Sequence, residues 1–194
     1  ERPREGASRG APGGEAPRIL IEDGRDAAIA EGAGTIAVEL LESPEPIDDI
    51  VVPVGDGALV GGVARWVKAH RPSARVVGVV AAGAPAMERS WRAGRAQALD
   101  RADTIADGIS VQSPFAEAVT DMIGVVDEML LVQDDQMVSA MRLAVNELGI
   151  VLEPSGAAGL AAILANPTRF RGRSTATILT GGNLTAAQME QWLA

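Results

Sequence analysis

The sequence predicts an α/β fold, a mainly parallel, twisted sheet flanked by helices, and three observations carry that expectation. Short runs rich in Val, Ile or Leu recur along the chain, each bounded by Pro, Gly, Asp or Asn. Between them lie segments whose apolar residues return every three or four positions. Two of the apolar runs pass straight into glycine-rich turns. Strands that alternate with helices indicate βα units, whose crossovers leave neighbouring strands parallel.

Taken in order, residues 1–18 combine Gly, Pro, Ala and charge without apolar periodicity. Such a segment buries too little surface to offset its ordering entropy. A disordered tail is expected over 1–18 and one α/β domain over 19–194. The strand candidates are Ile50–Val54, Arg75–Ala81, Met129–Val132 and Ala176–Thr180. Helices are expected over Gly34–Leu41, Leu59–Ala69, Ala116–Met122, Asp135–Leu148, Ala157–Ala165 and Ala186–Leu193. Within Asp135–Leu148, the residues Met137, Ala140, Met141, Ala144, Val145 and Leu148 form a core-facing stripe.

Composition narrows the chemistry. Apolar residues make up 47% of the chain but aromatics only 3%, so the core must be built from Val, Ile, Leu, Met and Ala. A formal charge of −9 argues against a nucleic-acid footprint or an anionic-membrane patch. It leaves room for a small anion held locally by backbone N–H groups. With no Cys, disulfides and thiolate chemistry are excluded. No apolar run reaches the length of a membrane span, and the first residues lack a signal-like apolar core, so a cytoplasmic protein is expected. Lys68 and His70 are the only residues of their types. That removes most nucleophile–His schemes and His-based metal sites.

The sharpest local feature is the run Val51-Val52-Pro53-Val54-Gly55-Asp56-Gly57-Ala58-Leu59, where a strand enters a glycine turn and the turn enters a helix. Backbone N–H groups at such a junction converge on one anion, and the helix N-terminus adds roughly half a positive charge. Neither a dinucleotide fingerprint nor a Walker loop fits the spacing. A tight βα turn, with glycine chosen only for its backbone freedom, accounts for the same residues equally well. A second glycine turn, Thr180-Gly181-Gly182-Asn183, follows the last expected strand. In a parallel sheet the C-terminal strand ends share one edge, so both turns should open onto one crevice.

Five segments in order resemble the threonine dehydratase / serine racemase group of fold-type-II pyridoxal-phosphate enzymes, in the tryptophan synthase beta-like superfamily. They are Glu31–Ala37, Val52–Leu59, Asp103–Gly108, Glu153–Ala158 and Thr180–Asn183, and the match runs over roughly 19–194. The resemblance implies that the chain is the large cofactor-binding part of such an enzyme, with pyridoxal 5′-phosphate as cofactor. It assigns the cofactor phosphate to the loop Gly55, Asp56, Gly57, Ala58 and Leu59. Thr180 matches the hydroxyl residue that hydrogen-bonds the pyridine nitrogen, and Glu153 an acidic residue near the ring. A helix-entry carboxylate before Pro154 is the alternative for Glu153. Asp107 and Gly108 belong to a segment that passes close to the cofactor, and for Asp107 a loop-stabilising role stands beside a catalytic one.

The chain also departs from the family pattern. The resemblance places the lysine that forms a Schiff base with the cofactor on a segment before the glycine loop, and no residue here matches it; no catalytic residue is assigned. Lys68 lies nine residues beyond Leu59, about 13 Å along a helix, and a solvated helix-end lysine is expected there. His70 is expected at the same exposed helix end. Asp56 and Ala58 stand where the family most often has glycine, and the Asp56 carboxylate must turn away from a phosphate. Val80, Ala84 and Ala86 occupy positions where some relatives hold a divalent cation with carboxylates, so no metal is expected.

By resemblance the activity is that of a threonine/serine ammonia-lyase, which eliminates water from L-threonine or L-serine to give a 2-oxo acid and ammonia. The 194-residue chain alone is expected to be inactive. The alternatives are a truncated, non-catalytic module that binds pyridoxal phosphate or another anion, or another fold-type-II activity such as serine racemase. The partner implied is a small amino-acid substrate, with no nucleic acid or membrane. Homo-oligomerisation is expected through apolar surface that a missing segment would cover.

Overall fold

A computed structural model describes residues 20–194; the tail expected over 1–18 lies outside the described residues. The elements are α1 (Ala27–Leu41), β1 (Asp49–Pro53), α2 (Ala58–His70), β2 (Arg75–Ala81), α3 (Ala86–Ala93), α4 (Ala116–Met122), β3 (Glu128–Val132), α5 (Asp134–Leu143), α6 (Pro154–Ala165), α7 (Pro167–Phe170), β4 (Thr175–Thr177) and α8 (Ala186–Leu193). The four strands form one sheet in the order β3-β2-β1-β4, and every pairing is parallel. The expected fold class is the one observed.

The two central strands explain why the sheet forms here. Every residue of β1 is buried, and all but the first of β2. They therefore read as continuous apolar runs, as strands covered on both faces do. Alternation then sorts the core into two layers. Ile50, Val52, Val76 and Val80 face a cluster with Val60, Val63 and Val67 of α2 and Met122 of α4. Val51, Val77 and Val79 face the other cluster, with Met137 and Met141 of α5 and Ala157, Ala158 and Ala161 of α6. Alanine-rich α6 can lie close to β1 because its side chains are short: Pro154 through Gly159 are all buried.

Several elements differ from expectation. Helix α1 begins at Ala27 rather than Gly34, because Ala27–Ala30 continues the helix toward the turn at Gly24. Helix α6 begins at Pro154, whose fixed φ suits the first helical position, rather than at Ala157. The segment expected as one helix to Leu148 leaves α geometry after Leu143, widens into a π-type turn over Ala144–Leu148 and stops at Gly149 with φ 66°. Strand β4 ends at Thr177 instead of Thr180. There the Thr177 hydroxyl donates to the Val51 carbonyl at 2.9 Å, and the chain beyond swings toward α6. Helix α3 was absent from the expected set.

The two edges of the sheet differ in chemistry. At the N-terminal edge, buried Asp49 pairs with Arg173 and lies 3.8 Å from Arg75, which in turn reaches Glu128 at 2.7 Å. Lys68 belongs to this end too. Its Nζ lies 2.7 Å from Asp127 and donates to the Ala74 carbonyl at 2.9 Å. The expectation of a solvated lysine is thus corrected: with 19% of its side chain exposed, Lys68 is packed and paired. Asp127 also accepts the Val76 N–H at 2.7 Å, which fixes the carboxylate that the lysine finds. His70 is exposed as expected and stacks on Trp66 with ring centroids 3.9 Å apart. Among the described residues no helix is long and apolar enough to cross a membrane.

Candidate cofactor site

The opposite, C-terminal edge of the sheet carries a cavity of about 190 Å³. Three stretches of chain form most of its wall: the turn after β1, the start of α6 and the chain after β4. Gly55, Asp56, Gly57, Ala58, Leu59, Glu153 and Thr180 all line it. The structure therefore brings together every residue singled out from the sequence for cofactor binding. Gly108, from the segment expected to pass close to the cofactor, lines it too, and Asp23, Pro53, Val60, Ile109 and Ser155 are added.

The turn after β1 has the geometry of an anion cradle. Gly57 is the N-cap of α2, with φ 98°, a conformation that disfavours residues bearing a Cβ. As the N-cap, Gly57 brings no capping side chain, and the first amides of α2, which like those of any helix lack intrahelical acceptors, face the turn. Gly55 is needed for a different reason. A Cβ there would lie 2.6 Å from the Gly108 carbonyl oxygen, so the turn and the segment crossing it touch backbone to backbone.

That crossing segment is tied down by α5. Thr104 Oγ1 donates to Asp134 Oδ1 at 2.6 Å, and the Ile105 N–H donates to Asp134 Oδ2 at 3.0 Å. A short 3₁₀ turn over Asp107–Ile109 follows, in which the Asp107 carboxylate accepts the Gly108 N–H at 2.9 Å. Asp107 is exposed and stabilises its loop; Gly108 is the residue that reaches the cavity.

Glu153 and Thr180 are held against each other by close backbone packing. A Cβ on Gly156 would fall 1.6 Å from the Thr180 carbonyl oxygen, so only glycine permits α6 to approach that strand exit. The Glu153 N–H donates to the Gly181 carbonyl at 3.2 Å, and Glu153 Oε2 accepts the Asn183 N–H at 2.9 Å. Glu153 occupies the N-cap of α6, yet its side chain makes no capping bond to the helix. Its carboxylate is used across the cavity wall instead of within its own helix.

Asp56 is the one anionic group in the cradle, and its carboxyl is raised above the ordinary value. Partial burial is the larger cause and the neighbouring Asp23 the second. The Asp23–Gly24 turn closes over it: a Cβ on Gly24 would lie 2.5 Å from the Asp56 carbonyl oxygen. Among the described residues no group of three or more His, Asp or Glu side chains is clustered to hold a metal.

Comparison with known proteins bears on the chain as a whole. Residues 15–181 match the family described as "Pyridoxal-phosphate dependent enzyme". An L-threonine ammonia-lyase of Thermotoga maritima is 33% identical over 166 residues, covering 86% of this chain and 41% of that protein. A serine racemase of Arabidopsis thaliana is 36% identical over 177 residues, covering 88% of this chain and 53% of that protein. Among solved structures, the processed form of threonine deaminase isoform 2 from Solanum lycopersicum superposes with a TM-score of 0.81 at 28% identity, over 86% of this chain and 46% of that one. The chain thus spans about half the length of the curated relatives it matches. Its match to the family covers most of its residues, and the chain belongs to the pyridoxal-phosphate-dependent enzymes of fold type II.

Proposed function

We propose that the cavity binds pyridoxal 5′-phosphate and that this chain is the cofactor-holding part of a threonine/serine ammonia-lyase. One observation carries the cofactor half: Gly55–Leu59, Glu153 and Thr180, drawn from three distant stretches of the sequence, line a single cavity at the C-terminal edge of the sheet. The donors present suit a phosphorylated pyridine. Uncapped amides at the start of α2 suit a phosphate, and a neutral hydroxyl at Thr180 suits a ring nitrogen.

When bound, the cofactor supplies an electron-withdrawing ring that stabilises charge at a substrate α-carbon. This chain's residues do the holding. The turn Gly55–Leu59 fixes the phosphate through backbone N–H groups, and Gly108 keeps that turn from opening outward. Thr180 offers the ring nitrogen a neutral partner, so the ring is not forced into its most electron-demanding form. Glu153, engaged by Asn183, lends a fixed negative charge beside the ring. No proton at the α-carbon falls to Lys68, whose ammonium is paired with Asp127 at the other edge of the sheet.

The elimination of water from L-threonine or L-serine is favoured as the activity of the whole protein because relatives so named match over most of this chain. Serine racemase is the second reading, supported by the Arabidopsis relative at 36% identity. A small amino acid is the substrate in both. The test uses purified chain with pyridoxal 5′-phosphate and L-threonine. Cofactor should bind, displaceable by inorganic phosphate, without release of 2-oxobutyrate. Failure to bind would remove the proposal. Turnover by this chain would show that one of its own residues acts as the base.

A further inference from the structure

One buried polar group at this cavity has no use in the fold. Ser155 is 4% exposed, and its Oγ makes no hydrogen bond to any described residue. Leaving a hydroxyl buried and unpaired is costly, so such an atom calls for a partner that arrives later. Its surroundings show where that partner comes from. Ser155 is the second residue of α6, after Pro154, and the helix N-cap is Glu153. It lines the cavity together with the phosphate turn. On its flank is Gly108, where a Cβ would lie 3.0 Å from Ser155 Oγ and 3.7 Å from Glu153 Oε1. Ser155 Oγ, Gly108 and the Glu153 carboxylate therefore share one corner of the wall.

On the reading of this cavity as a cofactor site, we propose that Ser155 Oγ is a hydrogen-bonding group for the bound phosphopyridine, donating to one of its oxygens. The hydroxyl is the natural donor at this corner. The Glu153 carboxylate can only accept, and Pro154 has no N–H to give. Burial by the first turn of α6 holds the hydroxyl in place before the ligand arrives, so little side-chain entropy is lost on binding. A serine kept for packing alone would be at least as stable as alanine. A serine kept for the ligand carries an unpaired hydroxyl in the free protein and recovers a partner on binding.

These alternatives predict opposite signs, so two measurements on the same variants separate them. The probe is pyridoxine 5′-phosphate, which has no aldehyde and reports non-covalent binding only. Ser155→Ala should raise the melting temperature of the ligand-free chain by about 2–4 °C. The same change should weaken probe binding about tenfold by titration calorimetry. Ser155→Cys fills the space with a larger thiol that is only a weak donor; a similar loss of affinity in Ala, which leaves space, and in Cys, which fills it, ties the loss to the hydroxyl. Unchanged affinity in both variants, with the wild type binding, overturns the role of Ser155 and leaves the cofactor site standing. A lower melting temperature in Ser155→Ala, or failure of that variant to fold, also overturns it, because the hydroxyl would then be structural. A folded wild-type chain that does not bind the probe removes the cofactor site and the role of Ser155 with it.

Discussion

A methyl group at Gly55 tests the anion cradle most directly. Built on the existing backbone, the Cβ of Gly55→Ala would lie 2.6 Å from the Gly108 carbonyl oxygen, 3.7 Å from its carbonyl carbon and 3.8 Å from Ile109 Cα. Ordinary contact begins at 3.4 Å, so the two backbones must separate by about 0.8 Å. Neither side is a flexible side-chain end that could swing away. One is a turn continuous with β1 and α2; the other is anchored to Asp134 through Thr104 and Ile105. Overpacking of this kind costs about 1–3 kcal/mol of stability. Displacing the turn also misaligns its amides. Loss of one charge-assisted hydrogen bond, worth about 1.5–3 kcal/mol, corresponds to a roughly 10- to 100-fold weaker phosphate ligand.

Calorimetric titration of Gly55→Ala with pyridoxine 5′-phosphate, beside thermal unfolding, reads both consequences. The control is Gly61→Ala on the same helix, where a Cβ meets nothing within 4 Å. That change should stabilise α2 by about 0.5–1 kcal/mol through helix propensity and leave binding unchanged. Wild-type affinity in Gly55→Ala would refute the assignment of the phosphate to this turn. An equal loss in Gly61→Ala would show that affinity follows general disturbance of α2.

Two further expectations concern the charged residues. Asp56 has a raised carboxyl pKa, so its contribution to stability is fully present below the ordinary value of 3.8 and is lost as pH rises through the folded-state value. Asp56→Asn should therefore gain on the wild type across that window, by less than about 1 kcal/mol because the group is partly solvent-screened, and bind phosphate ligands several-fold more tightly at neutral pH; a stability difference constant from acid to neutral pH would contradict this. Lys68→Met should lower stability on the order of 1–2 kcal/mol by stranding Asp127, with probe affinity unchanged, and borohydride treatment with pyridoxal phosphate should leave Lys68 unmodified; a trapped adduct on Lys68 would contradict its assignment to the far edge.

Much of the fold was legible because the core strands are buried on both faces. Val51, Val52, Val76, Val77 and Val79 are each 0% exposed, and a strand of that kind needs no alternation to be recognised. Helix α3 was harder for the opposite reason. Its sequence, AMERSWRA, is half polar, and Glu88 pairs with Arg92 one turn on. Only its tertiary setting buries Met87 and Ser90. The overextended β4 has the same origin. Ile178 and Leu179 look like strand, but the approach of Gly156 to Thr180 draws the chain toward α6.

The site divides along the same line. The turn Gly55–Leu59 is local, and its strand–glycine–helix order announced itself. Gly108, Gly156 and Ser155 matter because of what crosses them, and no periodicity encodes a crossing. Gly156 could be read as one more small residue in an alanine-rich helix, whereas its space is occupied by the Thr180 carbonyl. Lys68 shows the converse error. Helix geometry rightly carried it away from the phosphate turn, but could not show that Asp127, already held by the Val76 N–H, waits at the other end. The placement of charge follows from this topology. The Asp49, Glu128 and Asp127 pairs collect where strands begin, and uncapped amides and hydroxyls collect where strands end. Lysine on this chain is spent at the first edge, while the cavity at the second edge is made largely of backbone, one buried serine and carboxylates. On the proposed reading, that surface holds a phosphorylated ring and leaves the movement of the substrate's protons to other residues.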